Sequence, residues 1–215
     1  MSSAFTVSGA CARLRRGRPI AIVDADEVIL RFVAGFERFL SKRSLRLDLS
    51  SYRLHGNVRR NDDGAALLDV EVTALLEEFR SDLDWLEPVE GAQDALAALE
   101  HEVGIVVLTN IAAEQAPARS RNLGRLGFDF PLVANTGPKG PVVRALSVHA
   151  AAAAWFVDDI PHHLASAAEH APDVARIHLV GDSRLRPLLP PSPHANLYAR
   201  DWPAAVKFIL DRLKG

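Results

Sequence analysis

The sequence predicts an α/β protein in which a Rossmann-like parallel sheet forms the middle of three layers and a small helical module follows the first strand. From residue 19 onward, short apolar runs rich in β-branched residues alternate with longer stretches of helical periodicity. This alternation is typical of a parallel sheet covered by helices. The runs also lack polar alternation, as expected for strands buried on both faces.

Six apolar runs are the predicted strands, and helical patterns fill the intervals between them. The strands are residues 20–23, 103–108, 132–134, 155–157, 175–180 and a short edge strand at 197–199. The helices of the core are residues 92–101, 113–126, 142–149, 161–170 and 203–213. The last helix carries apolar side chains at helical spacing, which predicts that one of its faces packs on the sheet.

One stretch interrupts the alternation, because no convincing strand lies between Asp24 and the helix at residue 92. Two apolar stripes in this stretch predict two amphipathic helices. The stripes are Phe32, Val33, Phe36, Phe39 and Leu40, followed by Val72, Leu75, Leu76 and Phe79. The polar residues 51–63 between them predict a loop. We therefore expect a core of residues 1–30 and 87–215 and an inserted helical module of residues 31–86.

Composition excludes several classes of protein. The 215 residues include 25 basic and 27 acidic side chains, so no basic excess indicates nucleic-acid binding. Cys11 is the single cysteine, which excludes an internal disulfide, a cysteine zinc site and an iron–sulfur cluster. No apolar stretch approaches the roughly 18 to 20 residues that span a bilayer. We expect a protein of the reducing cytoplasm that binds neither membrane nor nucleic acid.

The N-terminal segment is basic, with four arginines and no acidic residue before Asp24. An organelle transit segment is Arg-rich and poor in acidic residues in the same way. A frayed, solvated leader is the alternative. The leader is favoured, because the segment has no clear apolar stripe and the first strand follows almost at once.

Polar residues follow four of the predicted strands, and the carboxyl ends of parallel strands are where α/β proteins bind ligands. These residues are Asp24, Asp26, Thr109, Asn110, Lys139, Asp158 and Asp159. Several carboxylates at one edge oppose each other's ionisation unless a positive charge offsets them. Oxygen ligands of this kind favour Mg²⁺ over softer metals. The pattern therefore predicts a magnesium site.

This set of side chains suits phosphoryl transfer. A carboxylate such as Asp24, beside a metal ion and Lys139, is equipped to attack phosphorus and form an aspartyl phosphate. Thr109 and the amides that open the following helix suit the phosphoryl oxygens. Asp26 lies two residues beyond Asp24, where it is placed to protonate the leaving alcohol and later to deprotonate water.

Four segments together resemble the motifs of the haloacid dehalogenase superfamily, in the same chain order. They are IVDADEV (22–28), VVLTN (106–110), GPKGP (137–141) and WFVDD (155–159). The resemblance implies that Asp24 is the nucleophile and Asp26 the general acid and base. It also implies that Thr109, Asn110 and Lys139 bind the phosphate.

The resemblance further implies that the acidic pair Asp158 and Asp159 anchors the metal and that the main-chain carbonyl of Asp26 also binds it. The implied metal residues are Asp24, Asp26, Asp158 and Asp159. The chain departs from the family pattern in two places. Glu27 stands where many relatives have glycine, and the last motif is an adjacent Asp pair rather than a spaced one. Neither departure removes a catalytic group.

Residues 31–86 occupy the place where the family inserts a helical cap, and such caps close over small substrates. We therefore expect a small-molecule phosphate ester as substrate. His55 and Asn57, in the polar loop of the module, are candidate substrate contacts, although a polar loop of this kind is often only solvated.

Several alternatives remain open. A signalling receiver domain uses similar residues, but there the lysine follows the acidic pair, whereas Lys139 precedes Asp158 here. Metal-independent dehalogenases of the superfamily lack the second aspartate, so Asp26 disfavours that reaction. Phosphoryl transfer between sugar hydroxyls, as in a phosphomutase, is a second enzymatic reading. A non-catalytic binding protein on the same fold is the remaining one.

Overall fold

The computed structural model describes residues 3–83 and 86–213 and contains eight strands in two sheets. The strands are β1 (Ile20–Val23), β2 (Leu45–Leu47), β3 (Val58–Arg60), β4 (Gly104–Asn110), β5 (Leu132–Asn135), β6 (Ala154–Asp158), β7 (Ala175–Leu179) and β8 (Leu197–Ala199). Six of them form a parallel sheet in the order β5-β4-β1-β6-β7-β8. All six core strands predicted from the sequence are present in it, so the predicted fold class is confirmed.

Eight α-helices accompany the strands. They are α1 (Val7–Arg13), α2 (Phe32–Ser41), α3 (Asp69–Ser81), α4 (Ala92–Glu102), α5 (Ala116–Arg125), α6 (Gly140–Ala150), α7 (Pro161–His170) and α8 (Trp202–Leu213). Helices α1, α6 and α7 bury their apolar side chains on one face of the large sheet, while α4, α5 and α8 bury theirs on the other. No helix within the described residues is long and apolar enough to cross a membrane.

Strand β1 lies at the centre of the sheet, and its side chains alternate between the two faces. Ile20 and Ile22 enter the cluster with α6 and α7, while Ala21 and Val23 enter the cluster with α4 and α8. Val23 is paired with Val107 of β4 and with Val157 of β6. The next residues, Asp24 and Asp158, therefore lie side by side at the carboxyl edge.

The inserted segment is not purely helical, and here the prediction is wrong in one respect. Between α2 and α3, strands β2 and β3 pair antiparallel, with Leu45 opposite Arg60 and Leu47 opposite Val58. Part of the predicted loop 51–63 is thus β3. The four phenylalanines of α2 and α3 pack together, with the rings of Phe36 and Phe79 centred 5.3 Å apart. The boundaries 1–30, 31–86 and 87–215 stay a prediction.

The N-terminal segment is ordered against the core, so the prediction of a frayed, solvated leader is wrong. Thr6 caps α1 by accepting a hydrogen bond from the Gly9 amide at 3.2 Å. Ala10 of α1 is fully buried beside side chains of α6. The guanidinium of Arg18 donates to the Glu100 carbonyl at 2.6 Å. The segment therefore extends one helical layer of the fold.

Candidate active site

The buried ammonium of Lys139 joins two carboxylates at the carboxyl edge of the sheet. Its Nζ lies 2.7 Å from Asp24 Oδ1 and 2.7 Å from Asp158 Oδ2. Strands β1 and β6 place the two aspartates side by side, and Lys139 reaches them from the start of α6. Burial by itself lowers the pKa of Lys139. The negative charges of Asp158 and Asp24 have the larger, opposite effect, so the pKa of Lys139 lies above its ordinary value. Lys139 is therefore a fixed positive charge.

Three carboxylates of this edge form a site of the size that a metal ion needs. Asp24, Asp158 and Asp159 each offer an oxygen, and these oxygens lie within 4.8 Å of one another. All three residues are buried. Burial raises the pKa of Asp24 to about 7, and burial together with Asp158 raises the pKa of Asp159 well above its ordinary value.

These shifts have a simple electrostatic meaning. Three ionised carboxylates and one lysine leave an excess of two negative charges in a buried space, which is costly unless it is compensated. A divalent cation supplies that charge, and an all-oxygen donor set is what Mg²⁺ prefers. The residues of the site therefore fit the magnesium ion that the sequence predicts.

A tyrosine that sequence reasoning missed reaches this site from the inserted segment. The hydroxyl of Tyr52 donates a hydrogen bond to Asp159 Oδ2. Burial and the adjacent Asp159 raise the pKa of Tyr52 above its ordinary value, so the hydroxyl keeps its proton. No sequence motif singles out Tyr52, because the contact joins residues 107 positions apart in the chain.

Hydrogen bonds from neighbouring groups hold the turn of Asp158 and Asp159 in place. Asp158 Oδ1 accepts a hydrogen bond from the Ile160 amide at 2.8 Å. Nε2 of His178, on β7, lies 2.8 Å from the main-chain carbonyl of Asp159, while its Nδ1 accepts from the Ser192 amide at 3.1 Å. This pattern requires the neutral imidazole with its proton on Nε2, and burial lowers the pKa of His178 accordingly. The turn that carries both aspartates is therefore rigidly supported.

Asp26 stands apart from the three-carboxylate cluster and pairs with an arginine. Nη1 of Arg119, on α5, donates to Asp26 Oδ1, and Nη2 donates to Oδ2 at 3.1 Å. The side chain of Arg119 is fully buried, whereas that of Asp26 is 29% exposed. No motif in the sequence indicates Arg119, which lies 93 positions from Asp26 in the chain. The predicted metal contact of Asp26 through its main chain stays a prediction.

Thr109 and Asn110 end β4 beside the loop that carries Lys139. Thr109 is buried. The side chain of Asn110 donates to the Gly137 carbonyl at 2.9 Å and accepts from Asn135 Nδ2 at 2.8 Å. These bonds tie the ends of β4 and β5 to the turn at Gly137. Asn110 therefore braces the loop before Lys139, and its predicted phosphate contact stays a prediction.

The two candidate substrate contacts have other partners. Nε2 of His55 lies 3.0 Å from Thr73 Oγ1 on α3. Asn57 is buried, and its Nδ2 donates to the Arg53 carbonyl at 2.6 Å and to Ser51 Oγ at 2.8 Å. Asn57 thus folds the loop that presents Tyr52. A substrate role for His55 and Asn57 stays a prediction without a supporting contact.

Glu27, the departure from glycine, adopts a backbone conformation that glycine favours. Its φ is +57°, in the left-handed region. Its Oε1 accepts from the Val33 amide at 2.7 Å near the start of α2, and its carbonyl accepts from the Gly181 amide at 2.6 Å. Glu27 therefore connects the turn after Asp24 with both α2 and the end of β7.

Solved structures similar to this chain include hydrolases of the haloacid dehalogenase superfamily. A haloacid dehalogenase family hydrolase from Deinococcus radiodurans R1, with bound phosphate and sodium, superposes with a TM-score of 0.60 at 14% identity, over 93% of this chain and 98% of that one. A subfamily IA, variant 1 hydrolase from Geobacter sulfurreducens gives a TM-score of 0.50 at 23% identity, over 75% and 89% of the two chains. This chain has the haloacid dehalogenase fold.

A third similar structure is a putative β-phosphoglucomutase from Thermotoga maritima. Its TM-score is 0.54 at 13% identity, and the match covers 91% of this chain and 99% of that one. No protein-family model and no curated protein matches the sequence. The fold resemblance expected from the four sequence segments is therefore confirmed by structures.

Proposed function

We propose that the protein is a Mg²⁺-dependent phosphohydrolase that cleaves a small phosphate monoester through an aspartyl-phosphate intermediate. The observation that carries this proposal is the buried contact of Lys139 with both Asp24 and Asp158, next to Asp159. One carboxylate is thereby held at a strand end, beside a fixed positive charge and a set of oxygens that suits a cation. The phosphate in the similar hydrolase from Deinococcus radiodurans is consistent with this proposal.

The first half of the reaction uses Asp24 as nucleophile. A carboxylate oxygen of Asp24 forms a bond to phosphorus while the bond from phosphorus to the ester oxygen breaks. Asp26 gives its proton to the departing alcohol. Lys139 neutralises negative charge on the phosphoryl group, and the hydroxyl of Thr109 donates to one of its oxygens.

The second half releases phosphate. Asp26, now a carboxylate, takes a proton from a water molecule that attacks phosphorus, and the bond from phosphorus to Asp24 breaks. Asp24 is thereby regenerated as a carboxylate and Asp26 as an acid. Asp24, Asp158 and Asp159 are the residues that would hold Mg²⁺. When bound, that ion supplies positive charge to the phosphoryl oxygens.

Phosphate release from p-nitrophenyl phosphate and a panel of small phosphate monoesters, with Mg²⁺ or with EDTA, tests the proposal. We expect activity that requires Mg²⁺ and that Asp24→Asn abolishes. Asp173→Asn, a change at an exposed aspartate far along the chain, is the matched control and keeps full activity. Turnover that survives Asp24→Asn or chelation refutes the mechanism.

Other outcomes of the same assays identify the alternatives. Halide release from a 2-haloacid without metal supports a dehalogenase. Transfer of the phosphoryl group to an added sugar, without release of phosphate, supports a phosphomutase or phosphotransferase. A folded protein that turns over none of these compounds supports a binding function.

A further inference from the structure

Arg119 and Asp26 form a two-point contact at the predicted proton-transfer group. Both terminal nitrogens of the guanidinium donate, one to each oxygen of the carboxylate, with Nη2 at 3.1 Å from Oδ2. Such a fork-to-fork pair fixes the plane of the carboxylate as well as its position. A single hydrogen bond leaves that plane free to rotate about the terminal torsion of the aspartate.

Arg119 and Asp26 differ in burial, so only Asp26 is accessible to a bound molecule. The side chain of Arg119 has no exposed surface, whereas 29% of the Asp26 side chain is exposed. A molecule bound at the carboxyl edge of the sheet can therefore touch Asp26 but not Arg119. Burying a guanidinium is costly unless it is paired, and the bidentate contact with Asp26 supplies that pairing. Any effect of Arg119 on a reaction must pass through Asp26.

The position of α5 in the chain gives this contact a further consequence. Helix α5 follows β4, which ends with Thr109 and Asn110. Arg119 therefore ties the turn after β1 to the helix that follows the predicted phosphate-binding residues. The carboxylate of Asp26 is held relative to the place where the phosphoryl group is expected, across 93 positions in the sequence.

We propose that Arg119 is a positioning residue that orients the carboxyl group of Asp26 for proton transfer to the leaving group. This inference rests on the proposed phosphohydrolase function. Proton transfer requires a heavy-atom distance of about 2.6 to 3.2 Å, so an Asp26 that rotates freely spends less time in a productive orientation. Lysine keeps the charge of Arg119 but cannot form the fork.

The orientation of Asp26 matters most for leaving groups that need a proton. Phenolate leaves poorly unless it is protonated, whereas 2,4-dinitrophenolate leaves readily as an anion. We therefore expect Arg119→Lys to lower kcat/KM, which reports the steps up to departure of the leaving group, by about 10²-fold for phenyl phosphate, within the range of general acid catalysis. The kcat/KM for 2,4-dinitrophenyl phosphate should change much less, because its leaving group needs no proton from Asp26.

Two comparisons separate this role from a structural one. Arg121→Lys, at an exposed arginine of the same helix, is the matched control and should leave both rates unchanged. Asp26→Asn combined with Arg119→Gln should be no slower on phenyl phosphate than Asp26→Asn alone, because Arg119 acts only through Asp26. The double variant, in which both side chains are neutral, also tests the positioning role if Arg119→Lys folds poorly.

Each outcome decides the question. An equal loss of kcat/KM on both esters in Arg119→Lys, or a further loss of tenfold or more when Arg119→Gln is added to Asp26→Asn, overturns the positioning role. A wild-type protein that cleaves neither these esters nor any monoester of the panel refutes the proposed function and this inference together. An active wild type with an equal loss of kcat/KM on both esters in Arg119→Lys refutes the inference alone.

Discussion

Glu27 offers a quantitative test of the electrostatics around the turn after β1. The residue is 2% exposed, and its Oε1 accepts a hydrogen bond from the Val33 amide. Its Oε2 is buried and has no partner among the described residues. Burial raises the pKa of Glu27 from the ordinary 4.5 to about 7, and the Val33 amide offsets only part of that effect. Glu27→Gln removes the ionisation but keeps the shape and the acceptor.

The sign of the effect follows from proton linkage. Between pH 4.5 and 7 the folded protein holds the Glu27 proton more tightly than the unfolded chain does, so the free energy of unfolding falls as pH rises. The difference between those pKa values corresponds to about 3 kcal/mol. Below pH 4.5 Glu27 contributes no such penalty, and above pH 7 the penalty is complete. The Glu27→Gln variant does not lose this stability, because glutamine does not ionise.

Urea unfolding of the wild type and of Glu27→Gln, from pH 4 to pH 8.5 in EDTA, measures this difference. We expect the stability of the variant relative to the wild type to grow by about 3 kcal/mol across the range. Glu77→Gln, at an exposed glutamate of α3, is the control and should show no comparable trend. A difference between wild type and Glu27→Gln that does not change with pH refutes the reasoning.

Two further predictions concern the acidic site. Lys139→Met leaves the buried Asp24 and Asp158 without their cation and should lower the free energy of unfolding by about 3 to 5 kcal/mol in EDTA at pH 8; a loss under about 1 kcal/mol in urea unfolding contradicts the pairing. Tyr52→Phe removes the hydroxyl that orients Asp159 and should weaken Mg²⁺ binding by about tenfold or more, since outer partners of metal ligands have effects of that size. Calorimetric titration with Mg²⁺ checks it, and an unchanged affinity contradicts the role of Tyr52.

Local pattern was sufficient to predict the large sheet. A strand buried on both faces must be apolar along its whole length, so runs such as residues 103–108 are visible in the sequence without knowledge of their neighbours. The strands of the inserted segment carry no such pattern. β2 and β3 have three residues each, their arginines interrupt the apolar residues, and their pairing joins positions that are distant in the chain. Only the folded chain identifies them.

The N-terminal segment was mispredicted for a related reason. Helix α1 has seven residues, and its one fully buried side chain is Ala10. One small apolar residue produces no visible stripe, so the arginines dominate the composition. Packing against α6, together with the capping by Thr6, stabilises a helix that the local sequence pattern does not predict.

What the sequence determined by itself is the set of groups at the carboxyl edge. Polar residues follow four of the predicted strands, and parallel strands bring their ends to one edge, so Asp24, Lys139 and Asp158 were predicted to meet. Tertiary structure alone decided which side chains hold that set in place. Arg119 and Tyr52 contact the aspartates across 93 and 107 positions of the chain, and neither belongs to a local pattern. Sequence periodicity reports the environment of a residue's own element, whereas these contacts depend on how α5 and the inserted segment pack against the sheet.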